Sequence, residues 1–591
     1  MKLIHHPYSL VKRNPAASAL CFSAAALLLV FAISFVRSEQ TVYYYDYANY
    51  WIRLHHLSRW FGTEPIGALK QVIYSIRYSE YNDLATVLLL PWQSIAGNSR
   101  LAFITGLALT FAFPAVLSFA CFFTKLVNDN QQNRRVIFCI GFLGLMISPQ
   151  LWTPLLYGYV GTGGLVMVFL IWTISLPKPL AEHDYREIMI LAGLLCLLVL
   201  FRRWYAYWVA GFLLAVTFET AGLSLLRNRF QLKLYLPVLA RLSVLGFGSL
   251  ICFLVVATPI GIQMLTTDYG DIYSGYKYTS DFAGVMRVLH IHFGTMSLLT
   301  AAVGCGLMLT KTQLRRPALI MFLQFWISLL LFIRTQDLGT HHYYILIPAV
   351  YSFSIYCFYR LLLCTSSIII RRVISLVVGI LLLANFAVMF YPSMKNSFVA
   401  RSPLFPELRH YPMIRGDLDQ LHALLEYFDK LEMETANSIY VLASGRQLNF
   451  TILYNLCAYG EKSYEFCEGI AITNDIDKRD GFPFHFFDAQ YVITTNPLQY
   501  HLPDKNDQLV VSILRSRLIS GQGIGAQYQL VNQRFLLDKE VEVLLYRKIS
   551  DRYNEDSLDD LEALLVARYP HLAEKFTFTP ELLNKLTGGT H

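Results

Sequence analysis

The sequence predicts an α-helical polytopic membrane protein, with about eleven transmembrane helices followed by an exported C-terminal α/β domain. Three observations carry that prediction. Of the 591 residues, 55% are hydrophobic and only 15% charged, against the roughly 25% charge of a soluble domain. Apolar runs of membrane-crossing length recur along the first two thirds of the chain. Lys and Arg collect in every second connection between those runs, the asymmetry that orients a chain in a membrane. A net charge of +8 would suit a nucleic-acid partner if it formed one face, but here it falls in short clusters between apolar runs.

A full span needs roughly 20 apolar residues, because the hydrocarbon core is about 30 Å thick and a helical residue rises about 1.5 Å. The spans read as Ala16 to Val36, Leu101 to Val127, Val136 to Ser148, Gly164 to Leu176, Ile188 to Phe201 and Trp204 to Leu226. Leu236 to Ile262, Ile291 to Leu309, Pro317 to Ile333, Tyr343 to Leu363 and Val373 to Tyr391 complete the set. The third, fourth and fifth are short and need neighbours to cover their ends. Ala16 to Val36 is long for the apolar core of a signal peptide and no small-x-small site follows it, so it reads as an uncleaved anchor.

The basic connections are Lys12 and Arg13; Arg134 and Arg135; Lys178; Arg227 and Arg229; Lys311, Arg315 and Arg316; and Arg371 and Arg372. With the N-terminus cytoplasmic, all of these face the cytoplasm and an odd number of spans exports everything after Tyr391. The chain then divides into a membrane domain, residues 1–391, and an exported domain, residues 392–591. The first exported loop, residues 37–100, is too long for a connector. Its amphipathic piece Leu84 to Trp92, flanked by Tyr78 and Tyr81, reads as lying along the interface. After Pro392 the pattern turns to strand-like runs, Ser438 to Ala443, Tyr491 to Thr495 and Val541 to Tyr546, mixed with amphipathic helices at Leu418 to Leu431 and Leu558 to Arg568.

Most of the ten cysteines, such as Cys21, Cys121, Cys139 and Cys252, sit inside apolar runs, and no spacing resembles a zinc site. Cys457 and Cys467 lie in the exported domain, where oxidising conditions make them a candidate disulfide. Two buried thiols is the alternative.

Four clusters could carry chemistry. Thr41-Val42-Tyr43-Tyr44-Tyr45-Asp46-Tyr47-Ala48-Asn49-Tyr50-Trp51, directly after the first span, sets a lone acid among aromatics, where desolvation would raise its basicity and suit it to proton abstraction. An aromatic belt with an incidental Asp is the bland reading. Glu80 and Asp83 are further exported acids and alternative bases. Arg202-Arg203-Trp204-Tyr205 places two arginines at an exported helix end, against the positive-inside trend. The guanidinium fork matches phosphate oxygens, and snorkelling to lipid head groups is the competing account. Arg334 leads into His341-His342-Tyr343-Tyr344 and Pro348, a cation with imidazoles and phenols at the mouth of the tenth span. Adjacent histidines point about 100° apart on a helix, so a ligand-orienting role fits better than a metal. The loop from Gln263 to His290 adds Asp268, Asp271, Lys277, Asp281 and Arg287 with Tyr269, Tyr273, Tyr276 and Tyr278, a mixture suited to sugar hydroxyls and ring faces.

Together these positions resemble the GT-C superfamily of integral-membrane glycosyltransferases, which includes protein O-mannosyltransferases, lipid A aminoarabinose transferases and O-antigen-modifying glucosyltransferases. The resemblance covers Ala16 to Tyr391, and the C-terminal domain by position alone. It implies a bacterial inner-membrane enzyme with a periplasmic C-terminal domain that moves a sugar from a polyprenyl-phosphate donor to an envelope glycan, lipid or protein acceptor. It casts Asp46 as general base, Arg202, Arg203 and Arg334 as holders of the donor phosphate, and Tyr45, Tyr205, His341, His342 and Tyr343 as substrate-binding. Asp46 lacks the second acid that follows it in many members, and no Asp-x-Asp signature occurs. No cofactor is fixed by this, and a divalent cation stays open. An O-antigen polymerase or ligase using lipid-diphosphate donors, and a secondary transporter, are the alternatives. Against the transporter, no repeat relates the two halves.

Overall fold

The computed structural model describes residues 15–127, 131–223, 236–279, 281–431, 439–460, 462 and 464–588. Lys12, Arg13, Arg227, Arg229 and Ser438 therefore lie outside the described residues. The chain divides into two compact units. The first comprises residues 1–39, 46–267 and 279–412; the second comprises 40–45, 268–278 and 413–591. The boundary expected at 391/392 falls at 412/413, and two segments expected to be membrane-domain loops belong to the second unit.

The first unit is helical. Its long elements are α1 (Pro15–Arg37), α2 (Asp46–Thr63), α3 (Pro65–Tyr78), α4 (Arg100–Val127), α5 (Gln131–Met146), α6 (Pro149–Leu156) and α7 (Thr162–Ser175). They continue as α8 (Tyr185–Phe201), α9 (Tyr205–Thr217), α10 (Leu236–Val256), α11 (Phe282–Leu309), α12 (Thr312–Ile333), α13 (Ile347–Leu363) and α14 (Ile368–Phe390). Every one of the eleven apolar runs lies largely on helix. Among the described residues six helices, α1, α4, α10, α11, α12 and α14, are each long and apolar enough to cross a membrane, and the α5–α6 pair, bent by 43°, makes a seventh if it is one span. The polytopic membrane character of the chain stands on these.

The helices pair α11 with α13, α8 with α10, α9 with α12 and α4 with α5 around one continuous core. Their outer faces leave large apolar side chains bare, such as Phe22, Phe247, Ile251, Leu376 and Ile380. Lipid is the solvent that accepts such surfaces without penalty. Two breaks were not expected. Within α11, Gly294 has φ 72°, and a Cβ there would stand 2.5 Å from the backbone of Phe405, so only glycine fits. The run to Ile262 breaks after Val256 and restarts as Thr258–Thr266. The first loop is mostly helix, through α2 and α3, while its predicted amphipathic piece splits into Leu84–Val87 and Leu90–Ala96.

The second unit is an α/β sandwich around a five-stranded sheet of order β2-β1-β3-β5-β4, with β1 (Ile439–Leu442), β2 (Ile470–Ala471), β3 (Tyr491–Asn496), β4 (Tyr528–Leu537) and β5 (Val541–Lys548). β1 pairs in parallel with β2 and β3; β5 runs antiparallel to β3 and β4. Helices α15 (Leu418–Asp429) and α16 (Phe450–Tyr459) cover one face, and α17 (Leu509–Ser520) and α18 (Glu555–Arg568) the other. Cys457 and Cys467 form a disulfide with Cα atoms 5.6 Å apart, tying α16 to the turn before β2.

Candidate functional site

α2 begins at Asp46, so the carboxylate sits in the first helical turn, where the helix dipole favours negative charge. Tyr50, one turn on, shares its face. The guanidinium of Arg202 lies over the ring of Tyr50 at 4.9 Å and over that of Tyr81 at 5.3 Å. Arg202 follows the last residue of α8 and is 6% exposed. Among the described residues its guanidinium makes no hydrogen bond or ion pair, and its Nε is buried without a partner. The carboxylate whose charge reaches it is Asp46. Burial pushes Arg202 down to about 10, against the pull of Asp46, so it remains a cation at neutral pH. The nearby Trp204 is equally buried at 6%, and its indole N–H also lacks an acceptor. Two buried donors, one charged, thus stand without an acceptor two residues apart in one turn, an arrangement costly unless an anion completes it.

A ring system lines the same region. His341 stacks on Tyr159 at 4.2 Å and lies 6.2 Å from Trp204 and 3.9 Å from His342. The charge of Asp46 also acts on Tyr159. Burial, reinforced by His342 and Arg202, holds the His341 imidazole well below its usual range, and burial with Arg202 and Arg203 lowers His342 to about 3. Both rings are neutral at physiological pH. Nδ1 of His342 accepts the Gly339 amide at 3.0 Å, which leaves the proton of the neutral ring on Nε2.

Among the described residues, most of the other predicted ones are held in structural contacts, while Arg334 is not and the Tyr343 hydroxyl is buried without a partner. Arg203 pairs with Glu80, so neither is available as phosphate ligand or base without breaking that pair. Asp83, 5% exposed, pairs with Arg53 at 2.8 Å. Arg334 is exposed at the end of α12, and no contact joins it to Arg202. Tyr205 is fully buried, its hydroxyl spent on the Gly161 carbonyl at 2.8 Å. Tyr343 packs against His292 and Phe293 at 5.2 and 5.9 Å. Tyr45 belongs to the second unit, where its hydroxyl donates to the Ser444 carbonyl at 2.7 Å and its ring meets His501 at 4.6 Å. The acids of the Gln263 to His290 loop serve the backbone: Asp268 caps the turn at Tyr269, Asp281 caps α11, and Asp271 pairs with Lys478 at 2.8 Å.

Arg100 and Tyr159 were not singled out by the sequence, and Tyr50 and Tyr81 entered only as members of the aromatic stretches around Asp46 and Glu80. Arg100 carried a readable signal, a cation at the end of a span that the sequence expects to be exported. Its Nη1 donates 2.6 Å to the Tyr47 carbonyl, in the first turn of α2. Among the described residues no three His, Cys, Asp or Glu side chains gather as a metal-binding group. No protein-family model matches the chain, and no curated protein sequence matches it.

Proposed function

We propose that the chain is a glycosyltransferase of the GT-C type, embedded in a bacterial inner membrane by eleven crossings, with a cytoplasmic N-terminus and a periplasmic second unit. It moves a sugar from a polyprenyl-phosphate donor to an envelope glycan, lipid or protein. The observation that carries the reading is Arg202, a buried guanidinium with no hydrogen bond or ion pair among the described residues, beside the unpartnered indole N–H of Trp204, with Asp46 as the carboxylate whose charge acts on it. A donor's phosphate would supply the missing anion, and its reacting carbon would lie toward Asp46.

In the reaction, the acceptor hydroxyl oxygen forms a bond to the anomeric carbon while the bond from that carbon to the phosphate oxygen breaks. Asp46 takes the hydroxyl proton. The phosphate leaves with one more negative charge, which Arg202 and the Trp204 N–H stabilise as it grows. Arg202 is better suited to this than Arg203, whose charge is neutralised by Glu80. A single displacement of this kind inverts the anomeric carbon. Neutral His341, with Tyr159 and Trp204, offers ring faces for the sugar.

The test is transfer in proteoliposomes with radiolabelled polyprenyl-phosphate sugars, scoring released lipid phosphate. Asp46→Asn keeps shape and removes basicity; it is expected to bind donor and release at least about 100-fold less phosphate. Arg202→Gln is expected to lose donor binding as well. If wild type consumes no lipid-linked sugar, or Asp46→Asn turns over normally, the reading fails.

A further inference from the structure

The sheet of the second unit is wound in two directions from β1. The connection from β1 to β2 runs through α16, whose Ile452, Leu453 and Leu456 pack on the face that carries Ile439 and Val441. The connection from β2 to β3 passes through Phe482, Phe486 and Phe487, packed on the opposite face with Tyr440 and Leu442. In open sheets wound this way, ligands bind outside the carboxyl ends of the parallel strands, where the direction reverses. Here the reversal lies between β1 and β3, and the groove adjoins it on the β3 side alone, where the carboxyl end of β3 leads into Leu498 and Tyr500. These two residues and α17 enclose a groove of about 310 Å³, completed by Ser512, Arg515, Ser516 and Ile519. That volume is at the lower end of small-ligand sites, which span about 300–1,000 Å³.

The lining has a defined chemistry. Arg515 donates from Nε to the Thr495 carbonyl at 3.0 Å and from Nη2 to Asn496 Oδ1 at 3.1 Å, so the end of β3 fixes its fork. Those acceptors are neutral, and among the described residues no carboxylate pairs with it. No acid lines the groove. Lys505, outside the lining, stands over the Tyr500 ring at 5.3 Å. Ser512 and Ser516 stand one turn apart on α17, and Ser512 shares a hydrogen bond of 2.9 Å with the Tyr500 hydroxyl. Ser516 and Ile519 are exposed, so the groove opens to solvent. A fixed cation, a row of hydroxyls that both donate and accept, and flanking Tyr500, Leu498 and Ile519 match a ligand with hydroxyls, an apolar ring face and one negative group.

We propose that this groove binds a saccharide carrying an anionic substituent, a carboxylate or a phosphate, seated on Arg515. The site stands apart from the transfer reading: it lies wholly within the second unit and uses none of the residues assigned to transfer. Binding is tested on the full-length protein in detergent by saturation-transfer difference NMR. The probes are a uronic-acid oligosaccharide, a sugar phosphate and a neutral glucose oligomer of matched length. One or both anionic probes are expected to show saturation transfer, with the neutral one at least tenfold weaker, and which of the two binds identifies the substituent. Arg515→Gln should abolish the difference between anionic and neutral probes. Ser516→Glu, at an exposed position that leaves the fold intact, should weaken anionic binding at least tenfold. If neither anionic probe binds wild type, or if both variants bind them unchanged, the proposal is overturned. Transfer activity is not the readout, so failure here leaves the roles of Asp46 and Arg202 standing.

Discussion

Asp46 is only as well placed as the first turn of α2, and that turn is held from outside by the first side chain of α4. Arg100, 6% exposed, reaches the Tyr47 carbonyl at 2.6 Å with Nη1 and the Leu156 carbonyl at 3.4 Å with Nη2. Gly158 makes the space: its φ is +90°, and a Cβ would stand 2.6 Å from Arg100 Nη1 and 2.9 Å from the Tyr47 carbonyl. Lys in place of Arg100 keeps the charge but cannot span two carbonyls. Because a misplacement of about 1 Å can cost roughly 100-fold in rate, Arg100→Lys is expected to lower kcat about 10- to 100-fold with KM for the donor nearly unchanged. A purely structural role would lower the melting temperature and leave kcat per folded molecule alone, and that outcome would refute the assignment. The candidate base was legible as an acid among aromatics after an apolar run. Its surroundings were not: Arg203 and Glu80 are 123 positions apart, and no local pattern announces such a pairing. Tyr50 was readable as one of the aromatics around Asp46, but its place on the same face one turn on only once α2 was known to be helix.

Membrane helices were legible because each holds its apolar character over many residues. Their interruptions were not, since Gly294 and the break after Val256 answer to neighbours distant in sequence. In the second unit β1, β3 and β5 were readable as apolar runs, whereas β4 is largely exposed and β2 is two residues long, so neither leaves a pattern. The segment after β2 is also where pH acts on this unit. Burial pushes the carboxyl of Asp475 up to about 6, against the opposing charge of Arg479. Burial also lifts Asp477 to about 6, against hydrogen bonds from the Val510 amide at 3.1 Å and the Tyr569 hydroxyl at 2.8 Å. From the ordinary carboxylate value near pH 4 up to about pH 6, the folded unit therefore keeps protons that the unfolded chain has released. The stability of the unit falls as pH rises through that window, by roughly 1.4 kcal/mol per pH unit for each of the two carboxyls. Hydrogen exchange of β1 and β3 amides, corrected for intrinsic rates, should show Asp475→Asn/Asp477→Asn gaining protection relative to wild type at pH 7 and not at pH 4. Equal gains at both pH values would contradict the linkage.

At the scale of the whole molecule the open quantity is parity. Among the described residues six helices suffice to cross a membrane by length and composition, and the shorter apolar helices α7 and α13 would cross only where neighbours cover their ends. Charge separates the possibilities more sharply than length does. Arg371 and Arg372 open α14, and with Lys311, Arg315 and Arg316 they mark the connections expected to stay in the cytoplasm. An odd count then carries the second unit to the other side. Cys364, between α13 and α14, is the one exposed free cysteine among the described residues and so reports one of those connections without engineering. In intact spheroplasts a membrane-impermeant maleimide is expected to leave Cys364 unlabelled, and to label it once the membrane is permeabilised. A cysteine at Ser516, on the exposed face of α17, is expected to label in both conditions. Labelling of both sites from the same side would mean that α14 does not cross, because it is the one long apolar helix between them. The second unit would then share the cytoplasmic side with the basic connections, and a disulfide at Cys457 and Cys467 would have to persist in a reducing compartment.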